Sequence, residues 1–110
     1  MPKHSEERYY DPDWKRPEII YGESLVGEIA KPGERLAVAT MEIPWNLVKG
    51  KLPVKPEAVV FVQDMELRTL ESLEKAVPPV DVVAGIGGGS SHDLAKYIAL
   101  KKGARLVQVP

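Results

Sequence analysis

A glycine-rich segment carries the residues best suited to bind an anion. Residues 87–90 are Gly-Gly-Gly-Ser; they follow the apolar run 80–86, which predicts a buried strand, and precede residues 91–102, which predict an amphipathic helix. Glycine has no Cβ, so the main chain can approach a ligand closely at such a turn. The free N–H groups of the first turn of a helix point at an anion there, and the helix dipole favours its charge. This strand–turn–helix pattern predicts a phosphate site built from backbone.

The residues around the glycines leave several readings open. The segment is neither of two common phosphate-binding motifs: Ser90 stands where the dinucleotide motif GxGxxG needs its third glycine, and the Lys-Ser/Thr pair of the Walker A loop is absent. Ser90 and Asp93 have the spacing of a capping box, so Asp93 is also explained as a carboxylate at the helix start. His92 is a candidate proton shuttle because imidazole titrates near neutrality. It is equally a first-turn residue beside a site where backbone does the binding, so we assign no catalytic residue.

A longer pattern extends the glycine segment. Residues 87–99 read Gly-Gly-Gly-Ser-Ser-His-Asp-Leu-Ala-Lys-Tyr-Ile-Ala, and they resemble the signature of the iron-activated alcohol dehydrogenase and glycerol dehydrogenase superfamily. That superfamily includes glycerol-1-phosphate dehydrogenase and dehydroquinate synthase. Residues 103–110 are similar to the family's next strand and the proline that ends it. The resemblance covers residues 80–110.

The resemblance implies a cofactor and a set of residues that bind it. Members of this superfamily hold NAD or NADP between an N-terminal nucleotide-binding domain and a C-terminal helical domain. The cofactor-binding residues that the resemblance implies are Gly87, Gly88, Gly89, Ser90 and Asp93. The first four match the loop that holds the cofactor's pyrophosphate, and Asp93 matches an acidic position near the nicotinamide end. Lys96 matches a family lysine to which we assign no role.

The chain departs from the family pattern in two places. Many relatives that use NAD have an acid at the end of the second strand, where this chain has Ala-Thr-Met at residues 39–41 and Glu42 is the nearest acid. The choice between NAD and NADP therefore stays open. The family's metal ligands belong to its C-terminal domain, and His4 and His92 have no suitable neighbours here. We predict no metal site in this chain, and zinc or iron only where a C-terminal domain is supplied.

The elements around the glycine segment alternate between strands and helices. We predict strands at 18–21, 35–40, 58–62, 80–86 and 105–109, and the strand at 58–62 is expected to be covered on both faces. Between them we predict a short helix capped by Ser24 and a short helix or turn at 45–49 with Pro44 at its first position. Two further helices are predicted, one capped by Asp64 with Leu67, Leu70 and Leu73 in the core, and one at 91–102 ended by Gly103. This alternation predicts a Rossmann-like three-layer α/β sandwich with a mostly parallel sheet, which binds ligands at the carboxyl ends of its strands.

Two segments of different character divide the chain. Residues 1–16 are polar and broken by prolines, which predicts a flexible N-terminal tail. Residues 17–110 are expected to form the nucleotide-binding domain, truncated relative to the family because the C-terminal helical domain is lacking.

The composition excludes several classes of protein. The 110 residues carry a net charge of −1, and their basic residues are scattered, which argues against a nucleic-acid partner. No cysteine is present for a disulfide or a thiolate metal site, and no apolar run is long enough to span a membrane. A cytoplasmic location is expected. Ten prolines beside three side-chain amides suggest a thermophilic source.

Three functions follow as hypotheses. The first is the NAD(P)-binding domain of a metal-dependent alcohol or polyol dehydrogenase of the glycerol or glycerol-1-phosphate type, inactive alone. Its partners would be the dinucleotide cofactor and either a second copy or a complementary catalytic domain. The second is a dehydroquinate synthase-like lyase domain, and the third is a non-catalytic α/β module that binds a nucleotide or a partner. Whether the chain is itself an enzyme stays open.

Overall fold

The computed structural model describes residues 18–19 and 23–110, so the predicted tail at residues 1–16 lies outside the described part. The elements are β1 (Glu18–Ile19), a 3₁₀ helix (Glu23–Glu28), β2 (Leu36–Thr40), α1 (Glu42–Val48), β3 (Ala58–Phe61), α2 (Leu67–Lys75), β4 (Val82–Ile86), α3 (Gly89–Lys102) and β5 (Arg105–Val109). Strands and helices alternate as the sequence pattern predicts.

The described strands form one parallel sheet. Its order is β1-β5-β4-β2-β3, and each of the four pairings is parallel. β2 and β4 lie in its interior, and every residue of both strands is buried. Such strands read as continuous apolar runs because helices cover both faces of a parallel sheet.

Helices cover the sheet on both sides. Ala37 and Ala39 of β2 belong to a core cluster with residues of α2 and α3. Leu36 and Val38, which alternate with them, belong to a second cluster with residues of the 3₁₀ helix and α1. Because successive side chains of a strand point to opposite faces, the two clusters lie on opposite sides of the sheet. The predicted three-layer α/β sandwich is confirmed.

The chain reverses direction across the sheet between β2 and β4. From β2 it passes to β3 on one side and then returns to β4 on the other side. The carboxyl ends of β2 and β4 therefore flank a topological switch point, where open α/β sheets bind ligands. Thr40, which is fully buried, joins these two ends: its Oγ1 donates to the carbonyl oxygen of Ile86 at 2.8 Å. The glycine segment leaves β4 at this point.

An ion pair joins the same two strands at their amino ends. The Arg35 backbone N–H and Nε donate to Asp81 Oδ2 at 2.8 and 3.1 Å, and Arg35 Nη2 donates to Oδ1 at 3.2 Å. The hydrogen bonds from the Arg35 side chain hold the pKa of the Asp81 carboxyl below its usual value. This pair lies at the end of the sheet opposite the glycine segment, so its role is to hold the register of β2 against β4.

Two helix starts differ from the prediction. α1 begins at Glu42, so Pro44 is its third residue and not its first. Proline is tolerated there because the third N–H of a helix also lacks an acceptor within the helix. α2 has Glu66 as its N-cap, and Asp64 lies two residues earlier, where its Oδ1 accepts the Glu66 N–H at 3.0 Å. Hydrogen bonds from the Thr69 side chain and this N–H lower the pKa of Asp64.

Burial around β3 also differs from the prediction. β3 is an edge strand, and Phe61 at its end is 42% exposed, so the expectation that both faces are covered is wrong there. Of the three predicted core leucines of α2, Leu70 is buried and Leu73 is partly buried, but Leu67 is 56% exposed. Leu67 opens α2 at the carboxyl edge of the sheet, where neither the sheet nor α3 covers it.

Candidate functional site

Gly87 forms the turn between β4 and α3. Its φ of +118° is a conformation that side chains with a Cβ rarely adopt. A Cβ on Gly87 would also lie 2.9 Å from Pro44 Cγ, so this residue contacts the first turn of α1 closely. Both the backbone and the packing therefore require glycine at this position.

Gly88 and Gly89 have no such structural reason. Gly88 is the N-cap of α3 with φ −82°, and neither residue has a positive φ. A Cβ placed on either residue would meet no atom within 4 Å. Both residues are exposed, and the space above them is open. Packing does not require glycine at these two positions. Because both lack a side chain, a ligand can contact the backbone in the open space over Gly88 and Gly89, which we call the cradle.

The N-terminus of α3 faces this cradle. The first bond of the helix runs from the His92 N–H to the Gly88 carbonyl oxygen at 3.2 Å. The N–H groups of Gly88, Gly89 and Ser90 therefore have no acceptor within the helix, and the glycine N-cap has no side chain to supply one. Fourteen residues of helix add their dipole behind these N–H groups. This arrangement suits an anion, and the sequence-based prediction of an anion site at this turn stays a prediction.

The helix starts earlier than predicted, and this moves two side chains. α3 begins at Gly89 and not at residue 91, so Ser90 is its second residue and Asp93 its fifth. The predicted capping box between them is therefore wrong, because a capping box needs its serine at the N-cap. Ser90 and Asp93 are both exposed on the first turns of α3. Either side chain is free to face a ligand.

A buried polar layer lies beneath the glycine turn. Ser91 is fully buried, and its hydroxyl has no hydrogen-bond partner. Gln108 of β5 donates through Nε2 to the His92 carbonyl oxygen at 3.2 Å, while its Oε1 has no partner. Sequence reasoning did not single out Ser91 or Gln108. Its helix began at residue 91, and that start gave no indication that this serine points inward.

Gly85 sets the distance between α3 and the sheet. A Cβ on this residue of β4 would overlap Gln108 Oε1 and would lie 2.8 Å from Ala95 Cβ and 3.2 Å from the Ser91 carbonyl oxygen. The small side chain of Ala95 therefore lets α3 lie close to the sheet at this point. This contact also fixes the height of the α3 N-terminus above the carboxyl end of β4.

The two remaining candidate side chains lie on α3. His92 is half-buried, and its Nε2 lies 3.3 Å from the carbonyl oxygen of Val109 at the end of β5. This contact ties α3 to β5, and it explains the position of the imidazole without a catalytic role. Lys96 lies one turn further along α3 and is half-buried.

A broader depression lies beside the glycine turn. It has a volume of about 600 Å³, and its lining residues are Met41, Glu42, Trp45, Asn46, Phe61 and Val62. These residues lie at or just after the carboxyl ends of β2 and β3, so the depression opens at the same edge of the sheet as the glycine turn. Sequence reasoning considered only Glu42 of these residues as a possible cofactor contact, since Phe61 and Val62 come next to the α1 residues only through the pairing of β2 with β3.

The described residues do not fit a metal ion. Within residues 18–19 and 23–110, no group of three or more His, Cys, Asp or Glu side chains is placed to hold one. In the same part of the chain, no helix is both long enough and apolar enough to cross a membrane.

Comparisons with known proteins agree with the resemblance. A family model described as iron-containing alcohol dehydrogenase matches residues 35–110. Three curated relatives are named glycerol-1-phosphate dehydrogenase, and each name includes NAD(P)+. The one from Hyperthermus butylicus is 33% identical over 93 residues, which are 78% of this chain and 27% of that protein. The one from Methanoregula boonei is 26% identical over 104 residues, which are 84% of this chain and 29% of that protein. The one from Methanospirillum hungatei is 32% identical over 85 residues, which are 73% of this chain and 24% of that protein. The chain thus spans about a quarter of the length of these relatives.

Proposed function

Since this chain belongs to the iron-containing alcohol dehydrogenase family, we propose that it supplies the dinucleotide-binding part of a polyol dehydrogenase of the glycerol-1-phosphate type. The observation that carries the proposal is the open cradle over Gly88 and Gly89. It lies at the N-terminus of α3 and at the switch point of the sheet. Backbone N–H groups and a helix dipole that converge on open space suit a pyrophosphate.

Each residue of the site has a proposed part in holding NAD or NADP. The N–H groups of Gly88, Gly89 and Ser90 donate to the pyrophosphate oxygens, and Gly87 supplies the turn that exposes them. Asp93 lies on the exposed side of α3 and is assigned to the nicotinamide end. When bound, the cofactor supplies the nicotinamide that exchanges a hydride with an alcohol. The protein's part is to position it.

The catalytic metal of the family has no site in the described residues. We therefore assign the metal and the substrate's oxygen to a complementary catalytic domain. Large apolar side chains that such a domain would cover are exposed on α1 and its N-cap, at the end of β3, and at the start of α2 and just before it: Met41, Ile43, Leu47, Phe61, Met65 and Leu67. Removing exposed apolar surface from water favours association.

The same exposed surface is also compatible with one other function. A non-catalytic module that binds a nucleotide and a partner chain would also present it. The two candidates differ in whether hydride transfer appears when a catalytic domain from a relative is supplied. The relatives are named as dehydrogenases, which favours a dehydrogenase over a dehydroquinate synthase-like lyase.

Calorimetric titration of NAD, NADP and ADP-ribose tests the binding site. Gly88→Asp places a Cβ and a negative charge in the cradle, and we expect it to abolish binding. Gly50→Asp is the matched control, because a Cβ on Gly50 also meets nothing within 4 Å and Gly50 lies at the far end of α1. Saturable binding by the wild type and by Gly50→Asp supports the proposal. No binding of any of the three ligands by the wild type refutes it.

A further inference from the structure

A second depression lies at the amino edge of the sheet. It has a volume of about 490 Å³ and lies between the end of α1 and the residues that lead into β3. Its lining combines apolar side chains with two lysines, and we call it the lysine groove: Trp45, Leu52, Val54, Val59, Lys49 and Lys55. A groove of this kind suits a ligand that brings both apolar surface and negative charge.

The apolar part of the lysine groove is covered on one side only. All four apolar side chains pack against the core cluster on the α1 side of the sheet, and all four are half-buried. The surface that the core does not cover is presented to the groove. Removing this surface from water favours the binding of an apolar group there.

The two lysines bring positive charge to the same place. Lys49 follows α1 and Lys55 precedes β3, and both side chains are exposed. Within the part of the chain that the structure describes, no acidic side chain forms an ion pair with either lysine. Two cations that line one groove favour an acidic segment over a neutral or basic one.

The chain carries a segment that matches the lysine groove. Residues 6–11, which lie outside the described part, read Glu-Glu-Arg-Tyr-Tyr-Asp. Three acids and one base surround two tyrosines, so the segment has a net charge of −2. A tyrosine ring buries a large apolar area while its hydroxyl stays in contact with water. The segment therefore complements the lysine groove in both apolar surface and charge.

The chain between this segment and the sheet is long enough to reach the lysine groove. β1 begins at Glu18, and because the sheet is parallel, the chain enters β1 at the edge where the groove opens. β1 and β3 are the two outer strands, four strand spacings apart, a distance of about 20 Å. Eight residues of extended chain span about 26 Å, so residue 10 can reach the groove from Glu18.

We propose that residues 6–11 of this chain bind in the lysine groove, with Tyr9 and Tyr10 against its apolar side chains and the acids beside Lys49 and Lys55. Attachment to β1 gives the segment an effective concentration in the millimolar range, so weak contacts are enough to hold it. The inference goes beyond the proposed function. The lysine groove lies at the opposite edge of the sheet from the glycine turn, and it needs no cofactor.

Trp45 reports whether the lysine groove is filled. The chain has two tryptophans, so Trp14→Phe leaves Trp45 as the single one. In this background, acrylamide quenching of the full chain is compared with quenching of a shorter chain that begins at Pro12. We expect slower quenching of Trp45 and emission at shorter wavelength in the full chain.

A second variant keeps the length of the chain. Tyr9→Ser with Tyr10→Ser in the full chain should remove the protection of Trp45, because it deletes the aromatic rings that cover the groove. This variant decides the question if the shorter chain does not fold. Melting temperatures of all proteins show which of them fold.

Calorimetric titration of a synthetic peptide of residues 1–16 into the shorter chain tests the charges. Lys49→Glu with Lys55→Glu should weaken binding of the peptide at least about fivefold, the size expected for the loss of two exposed ion pairs. Arg68→Glu with Lys75→Glu is the matched control, because it changes the net charge by the same amount. Both of these residues are exposed on α2, which packs on the other side of the sheet. We expect this control to change the affinity much less.

Three results would overturn the inference. Equal quenching of Trp45 in the full chain, the tyrosine variant and the shorter chain would mean that residues 6–11 stay in solution, as a flexible tail does. Equal weakening of peptide binding by the two charge variants would mean that the peptide does not recognise the lysine groove. Protection of Trp45 that increases with protein concentration would mean that a second copy of the chain fills the groove.

Discussion

Gly85→Ala is the substitution whose effect the structure specifies most closely. Gly85 lies in β4 with a negative φ and is buried, so alanine fits its backbone conformation without strain. The cost is therefore steric alone. The new Cβ would lie 2.8 Å from Ala95 Cβ, where carbon atoms prefer about 3.5–4.0 Å, and 3.2 Å from the Ser91 carbonyl oxygen. Gln108 can turn its amide away, but the backbone of α3 cannot.

The expected magnitude follows from that geometry. To restore carbon–carbon contact, α3 must retreat from β4 by roughly 1 Å. Overpacking of this kind costs about 1–3 kcal/mol in the free energy of unfolding. For a domain of this size, each kcal/mol lowers the melting temperature by about 4–8 °C. The retreat also moves the first turn of α3 away from the end of β4, so dinucleotide affinity should fall with stability.

Urea denaturation and calorimetric titration of the wild type and four variants check this reasoning. Gly88→Ala is the control for added bulk without overlap: a Cβ there meets nothing within 4 Å, so only the poorer N-cap preference of alanine should lower stability, by about 0.5–1 kcal/mol, while dinucleotide binding weakens. Adding Ala95→Gly to Gly85→Ala removes the closest carbon–carbon contact, so the double variant should lose less stability than the sum of the two single changes. A free energy of unfolding for Gly85→Ala within about 0.5 kcal/mol of the wild-type value would falsify the close packing of α3 on β4.

Further expectations concern burial and charge. Ser91→Ala removes a buried hydroxyl that has no partner, so it should raise the free energy of unfolding by about 1 kcal/mol in urea titrations; a loss of stability would show that the hydroxyl is bonded. Leu70→Ala should lower the free energy of unfolding by about 2–5 kcal/mol, whereas Leu67→Ser at the exposed position should change it by less than about 0.5 kcal/mol. Equal losses for the two variants would contradict the observed burial of Leu70 and exposure of Leu67. Arg35 lowers the pKa of Asp81 in the folded chain, so the stability from this pair is present above the carboxyl's ordinary pKa and is lost as the pH falls through the lowered value. The melting temperature should therefore fall less steeply between pH 7 and pH 2 for Asp81→Asn than for the wild type. Equal slopes for the two proteins would exclude a contribution of this ion pair to stability.

Much of the fold follows from local patterns. The apolar run before the glycines predicts β4, and the left-handed conformation of Gly103, with φ +65°, ends α3 where the pattern indicates. These features depend on neighbouring residues, so the sequence carries them directly. The helix starts are less well predicted, because several residues in a row satisfy the same capping preferences. The predicted start of α3 at residue 91 gave no indication of burial for Ser91, which the observed start at Gly89 places with its side chain fully buried.

The glycine turn and the depression beside it differ in how far the sequence predicts them. The glycine turn, the helix behind it and the family they indicate belong to one short stretch of chain, so the sequence alone determined them. The strand order placed β3 at the edge of the sheet and brought Glu42 and Phe61 to the same depression. Only the tertiary structure decided that arrangement. Strand pairing is set by the packing of helices on both faces of the sheet, and no local run of residues records which strands become neighbours.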